Sequence, residues 1–179
     1  MKPYLLGIDI GTSACKVAVF EKSGTVVAAA NGDYPVYYPK EGWAEQNPEE
    51  WWSAVCQAVK KVIEKAGIQP EEIAGIGIDG QSWSAIAMDK DGNVLTNTPI
   101  WMDTRAQSIC DRLNEEIGAD QIFEVSGNSL QPSYTTAKIL WYKENLPEVY
   151  EKIDKILQSN SYIAYKPVSY THLTLPTIA

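Results

Sequence analysis

Positive charge is scarce in this sequence and histidine is nearly absent. Lys and Arg number 15 against 23 Asp and Glu, a net charge of -8, and His172 is the single histidine in 179 residues. That deficit excludes a broad nucleic-acid or anionic-membrane surface, which needs a basic field. It leaves room for a small phosphate ligand held locally by backbone N–H groups. With its one histidine in the final segment, the chain is not expected to use histidine catalysis. Cysteine is sparse too: Cys15, Cys56 and Cys110 are widely spaced, with no CxxC pair, so neither a disulfide framework nor a zinc site is expected. No apolar run approaches membrane-spanning length, and the opening "MKPYLLGIDIG" lacks the apolar core of a signal peptide. A cytoplasmic location follows as the expectation.

What the chain does have is enough apolar sequence, 45%, to build a real core. Strands are predicted at Tyr4–Ile8, Lys16–Phe20 and Thr25–Ala30, the last two joined by the Ser-Gly turn of "EKSGT". Asn47, Pro48, Glu49 and Glu50 read as a helix start. Trp52, Val55, Cys56, Val59, Val62, Ile63 and Ala66 keep helical spacing until Gly67 stops it. A strand over Ile73–Gly80 ends in Asp-Gly, and "SAIAMDKDGNVL" reads as strand, turn and strand. Helices follow at Thr104–Ile117, Asp120–Val125, Thr135–Glu144 and Pro147–Ile153, and "KILQSN" gives a last short strand. The pattern predicts an α/β domain with a mixed sheet. The segment 167–179, "PVSYTHLTLPTIA", has no amphipathic pattern and is expected to be a non-native tail.

Chemistry concentrates at "LLGIDIGTSACKVAVF". An apolar strand ends at Asp9, turns through Gly11, Thr12 and Ser13, and resumes as a second strand through Lys16. A carboxylate and a glycine add nothing to strand packing. A tight bend of exposed amides can bind an anion: Gly11 admits close approach, Thr12 and Ser13 offer hydroxyls, and Lys16 offsets charge. Asp9 can hold magnesium, largely through water. The element after the turn is a strand, so this is no Walker A loop. An ordinary β-hairpin turn accounts for the same residues.

Further stretches occur in order: "GWAEQNPEEWW" (Gly42–Trp52), "GIGIDGQSWSAIAMD" (Gly75–Asp89), "PIWMDTRA" (Pro99–Ala106) and "GNSLQPSYTTAKILW" (Gly127–Trp141). With "GIDIGTSACK" they resemble the FGGY family of carbohydrate kinases, most closely its xylulokinase-like branch. The resemblance covers residues 1–166. It implies an actin-like, ribonuclease-H-like ATPase domain, here truncated, with the active site of the longer protein in a cleft between two domains. It implies transfer of the ATP γ-phosphoryl group, with Mg2+, to a sugar hydroxyl. Asp9 becomes the activity-critical, metal-linked carboxylate, and Gly11, Thr12, Ser13 and Lys16 lie along the phosphates. Gln81, Ser82, Trp83, Trp101, Asp103 and Tyr134 face the sugar. A small-molecule sugar is the implied partner, with a homodimer of the longer protein left open and neither nucleic acid nor membrane expected.

Several of these residues also fit plainer roles. Trp83 and Trp101 can be apolar plates for a sugar or packing residues, and Trp51 and Trp52 are expected to pack. Asp103 can bind sugar or cap a helix starting near Thr104, with Arg105 as its ion-pair partner. Glu45 and Gln46 have no role beyond positioning the helix after them. Xylulokinases carry Gly-Gln-Met-His where this chain has Gly80-Gln81-Ser82-Trp83, so a related ketose, a sugar alcohol or another pentose is equally arguable. The family's catalytic aspartate and adenine site are not found before Lys166, so the chain alone is expected to be inactive. An actin-like scaffold and a pure sugar-binding module are the alternative functions.

Overall fold

The computed structural model describes residues 3–169. In chain order its elements are β1 (Tyr4–Ile10), β2 (Ala14–Glu21), β3 (Val26–Asp33), β4 (Glu45–Gln46) and α1 (Pro48–Ala66). A 3-10 turn, Pro70–Glu72, leads to β5 (Ile73–Gly80), β6 (Ile86–Met88) and β7 (Thr98–Pro99). Then come α2 (Gln107–Ile117), α3 (Ala119–Ser126), α4 (Thr135–Asn145), α5 (Pro147–Tyr150), β8 (Lys155–Leu157) and α6 (Ser159–Ser169). His172 and the rest of the segment beyond Ser169 lie outside the described residues. The residues 167–169, expected to belong to a tail, continue α6. Among the described residues no helix is long and apolar enough to cross a membrane.

The chain forms two compact units whose segments interleave. The described part of the first is 3–36, Pro48–Gln81 and 159–169; the second takes Tyr37–Asn47 and Ser82–Gln158.

In the first unit a four-stranded sheet has the order β3-β2-β1-β5. β1 and β2, and β2 and β3, pair antiparallel, whereas β5 lies parallel to β1, giving the mixed sheet expected. Period-two alternation decides its faces. Leu6, Ile8, Ile10, Cys15, Val17 and Val19 are buried on one side. α1 packs against β2 and β3, and α6 against β5 and β1. α1 contributes Trp51, Ala54, Val55, Ala58, Val59, Val62 and Ile63 to this core. Trp51 is fully enclosed, so its truncation to Ala costs about 3–5 kcal/mol. Helix and strand approach so closely that a Cβ at Gly32 would sit 2.7 Å from the Ala54 carbonyl oxygen. The end of α6 is tied to the start of α1: Lys166 Nζ lies 3.0 Å from both Glu49 oxygens, and Tyr162 donates to Glu49 Oε1 at 2.8 Å.

The second unit holds two short ladders, β4 with β7 and β6 with β8, both antiparallel, together with α2–α5. Its core joins Ala85, Ala87, Ile109, Cys110, Ala137, Trp141 and Tyr142. The turn expected after β6 forms as the Asp89 carboxylate accepts from the backbones of Asp91 and Asn93, at 2.9 and 2.8 Å. The strand expected after that turn is only a single bridge, Met88 to Val94.

Candidate functional site

Two groups of residues carry the expected chemistry, one in each unit. In the first, the face of the sheet opposite the helices bears Gly7, Asp9, Lys16, Ala18, Gly77 and Asp79. The register places Asp9 beside Lys16 on β2 and beside Asp79 on β5. One step back along the same face, Gly7 pairs with both Ala18 and Gly77. Small residues there leave a cavity of about 510 Å³ lined by Gly7, Asp9, Lys16, Ala18, Gly77 and Asp79, among others. Asp79 carries no chemical signal of its own in the sequence; only strand register brings it to Asp9.

The bend above this face is tight. Gly11 N–H donates to the Ala14 carbonyl at 3.1 Å, and a Cβ on Gly11 would lie 2.9 Å from that same oxygen. Tyr34 clamps the bend from behind, its hydroxyl donating to Gly11 O at 2.6 Å. Burial pushes that phenol well above its ordinary range, which keeps it a donor. Thr12 is half-buried and Ser13 exposed at the tip. Gln81 belongs to this group too: its N–H donates to Ile10 O at 2.7 Å, and its side-chain nitrogen comes within 3.5 Å of Gly11 O.

Among the described residues no group of three or more His, Cys, Asp or Glu could hold a metal ion. The pair Asp9 and Asp79 nevertheless suits magnesium, which is commonly held by one or two carboxylates, with phosphate oxygens and waters completing its shell.

The second unit carries the tryptophans. Trp83 is 41% exposed and sits at φ 64°, a left-handed conformation that a bulky residue rarely adopts. Its ring stacks on Tyr134, with centroids 4.7 Å apart and planes inclined at 40°. The two border a cavity of about 430 Å³, with Ser126, Asn128, Ser129 and Thr135 supplying polar atoms. Trp101 is 44% exposed and does not line that cavity; Ser82 is exposed beside Trp83.

Asp103 forms the expected ion pair with Arg105 but does not take the expected place at a helix cap. It is wholly buried, and its carboxylate accepts from Ala44 N–H at 2.7 Å, from Arg105 N–H at 3.0 Å and from the Arg105 guanidinium at 2.8–2.9 Å. A carboxylate saturated in this way anchors the loop around it. It caps no helix, since α2 starts at Gln107, after a loop that the Asp103–Arg105 contact shapes.

Arg105 is the centre of the anchor. Its Nη2 lies 2.8 Å from Glu45 Oε2 and from Asp103 Oδ2. Its guanidinium carbon sits 3.9 Å over the Trp43 ring and 5.0 Å from that of Trp141. Burial would pull its pKa down, but the bonds to Asp103 and Glu45 carry it above the ordinary value. Glu45 therefore has a partner that the sequence did not reveal, 60 residues away. Lys138 is a further residue that nothing in the sequence marks. It is fully buried and donates from Nζ to the carbonyls of Trp83 and Ile100, each at 2.7 Å. Burial lowers its pKa to about 7, Asp103 nearby pulling it up and Arg105 down.

Known proteins resemble this chain in sequence and in fold. Residues 4–174 match the FGGY family of carbohydrate kinases, N-terminal domain. Xylulose kinase from Bacillus subtilis (strain 168) is 33% identical over 169 residues, which are 94% of this chain and 34% of that protein. Glycerol kinase 2 from Thermotoga maritima is 37% identical over 153 residues, 85% of this chain and 31% of that one. In structure, ligand-bound xylulose kinase from Lactobacillus acidophilus superposes with a TM-score of 0.84 at 30% identity, over 91% of this chain and 33% of that one. Gluconate kinase from the same species gives a TM-score of 0.84 at 30% identity, over 90% and 32%. The chain thus spans about a third of the length of the relatives it matches. Its mixed sheet with helices on one face is the actin-like ATPase fold of these kinases. The chain belongs to the FGGY family of carbohydrate kinases and corresponds to the N-terminal domain of its members.

Proposed function

We propose that this chain is the N-terminal part of a cytoplasmic enzyme that uses ATP and Mg2+ to phosphorylate a hydroxyl of a small polyhydroxylated substrate. The observation that carries this reading is the Asp9 hairpin: a carboxylate, a lysine and a glycine bend on one open face over small residues. ATP, when bound, supplies the γ-phosphoryl group. The chain's own residues bind and orient. Asp9, with Asp79 beside it, holds the metal; the amides around Gly11, with Thr12 and Ser13, receive phosphate oxygens; Lys16 offsets their charge. In the second unit Trp83, stacked on Tyr134, offers an apolar plate to the C–H face of the substrate, and Trp101 and Ser82 add contacts. Gln81 acts from the hairpin, to which its bonds to the Ile10 and Gly11 carbonyls tie it.

Matches to xylulose, glycerol and gluconate kinases support a polyol or sugar as acceptor and leave its identity open between a ketose and a sugar alcohol. The catalytic base and the adenine site are proposed to lie in sequence beyond this chain, so the chain alone transfers no phosphoryl group. Phosphoryl transfer depends on positioning and charge stabilisation, and both need the remaining groups. The test is a thermal-shift and calorimetric titration of the 179-residue chain with D-xylulose, glycerol and Mg·ADP. A coupled assay on the same chain with ATP runs beside it. Binding of one polyol without turnover supports the reading; turnover at ordinary kinase rates, or binding of none of these, refutes it.

A further inference from the structure

Helix α4 presents three side chains on one face at the helical spacing of Thr135, Lys138 and Tyr142. Each takes a different carbonyl from a single run of chain. Lys138 donates to Trp83 O at 2.7 Å, Thr135 to Ser84 O at 3.2 Å, and Tyr142 to Ala85 O at 2.9 Å. Gln158 in turn donates to Thr135 Oγ1 at 2.8 Å. The run so held begins at the one non-glycine residue with positive φ among those described. Such a conformation is strained and persists only where neighbours over-determine it.

Lys138 differs from its two companions. Its second bond, also 2.7 Å, goes to Ile100 O, at the base of the segment that carries Trp101. A single buried ammonium therefore fixes the backbone at both exposed tryptophans, Trp83 directly and Trp101 through the preceding residue. We propose that Lys138 is the positioning residue that sets the backbone at Trp83 and at Trp101, and with it the contacts each offers the polyol substrate. The inference rests on the polyol reading for its purpose, and on the two 2.7 Å bonds for its mechanism. Packing alone at this position would be met by an apolar side chain. Keeping an ammonium fully buried is costly unless its hydrogen bonds compensate.

The test uses the whole chain labelled with 15N at the indoles. Six tryptophans give six indole signals, and Trp83→Phe and Trp101→Phe assign the two that matter. Lys138→Met preserves length and removes both donors. The expected result is that the Trp83 and Trp101 signals move together in the ligand-free protein while those of Trp51 and Trp52 stay. Binding of D-xylulose or glycerol, whichever the wild type takes, weakens at least tenfold. Lys138→Arg restores donors on a larger head and is expected to shift both signals less and recover part of the binding. If Lys138→Met unfolds, Lys138→Gln, which loses the length that reaches both carbonyls, takes its place. A folded Lys138→Met or Lys138→Gln that leaves one or both signals at the wild-type position overturns the proposal. Should the wild type bind neither polyol, the substrate reading fails, yet the indole signals still decide the role of Lys138.

Discussion

Asp103→Ala separates an anchor from a ligand. The substitution removes an acceptor from Ala44 N–H and Arg105 N–H and strips the buried Arg105 of one of its two carboxylates. Breaking a buried ion pair from one side costs about 3–5 kcal/mol, and the two orphaned amides add to it. Glu45 remains 2.8 Å from the guanidinium and is only partly buried, so it retains some compensation. The low end is therefore expected, about 3 kcal/mol, which lowers the melting temperature by roughly 6–12 °C in a chain of this size. Asp103→Asn keeps one oxygen as acceptor but loses the charge, and should fall about midway. The assay is urea and thermal unfolding followed by tryptophan fluorescence, since Trp43 and Trp141 both pack on Arg105. A loss below about 1 kcal/mol, together with a tenfold weaker polyol affinity, would refute the anchor and return Asp103 to the ligand.

Three further outcomes are expected. Gly11→Ala forces a Cβ to 2.9 Å from the Ala14 carbonyl, so it should abolish any Mg·ADP-induced thermal shift and cost about 1–3 kcal/mol by overpacking. Trp83→Gly relieves the positive φ while deleting the plate; polyol binding should fall at least tenfold in calorimetry with almost no loss of melting temperature. For Lys138, burial holds the folded pKa at about 7, below the roughly 10.4 of an unfolded lysine, so the unfolded chain binds more protons between those values. Its contribution to stability therefore rises with pH above 7. Burial raises the thiol pKa values of Cys15, Cys56 and Cys110, which acts the other way once unfolded thiols ionise. The readout is thus the difference in urea midpoint between wild type and Lys138→Met from about pH 6.5 to 8.5, and a difference that stays flat would contradict the depressed pKa.

The hairpin was legible because two short apolar runs are broken by Asp9 and a turn of small polar residues, a local signal. α1 announced itself through Pro48, two acidic residues and a long periodic stripe. Glu45 and Arg105 gave no such signal, because a salt bridge across 60 residues has no periodicity. Lys138 hid in a helix with apolar residues on every side, where a lysine reads as solvated. Asp103 was legible as a partner of Arg105, two residues away, but not as a residue that caps nothing, since an aspartate just before helical sequence usually does. Here the carboxylate turns inward to Arg105, which delays α2 until Gln107. The interleaving of the two units was not legible, since a chain that crosses between units four times has no single linker to mark the division.

That interleaving has a consequence for how the chain acquires its structure. Glu49 and Lys166 are 117 positions apart, and most of the intervening sequence belongs to the other unit. As the polypeptide leaves the ribosome, Ser82–Gln158 can close its own local contacts while the four-stranded sheet still waits for α6 to cover β5 and β1. Contacts of such high sequence separation form slowly. A nascent chain halted before Ser159 would hold an ordered insert and an uncovered sheet, the state most exposed to aggregation during synthesis.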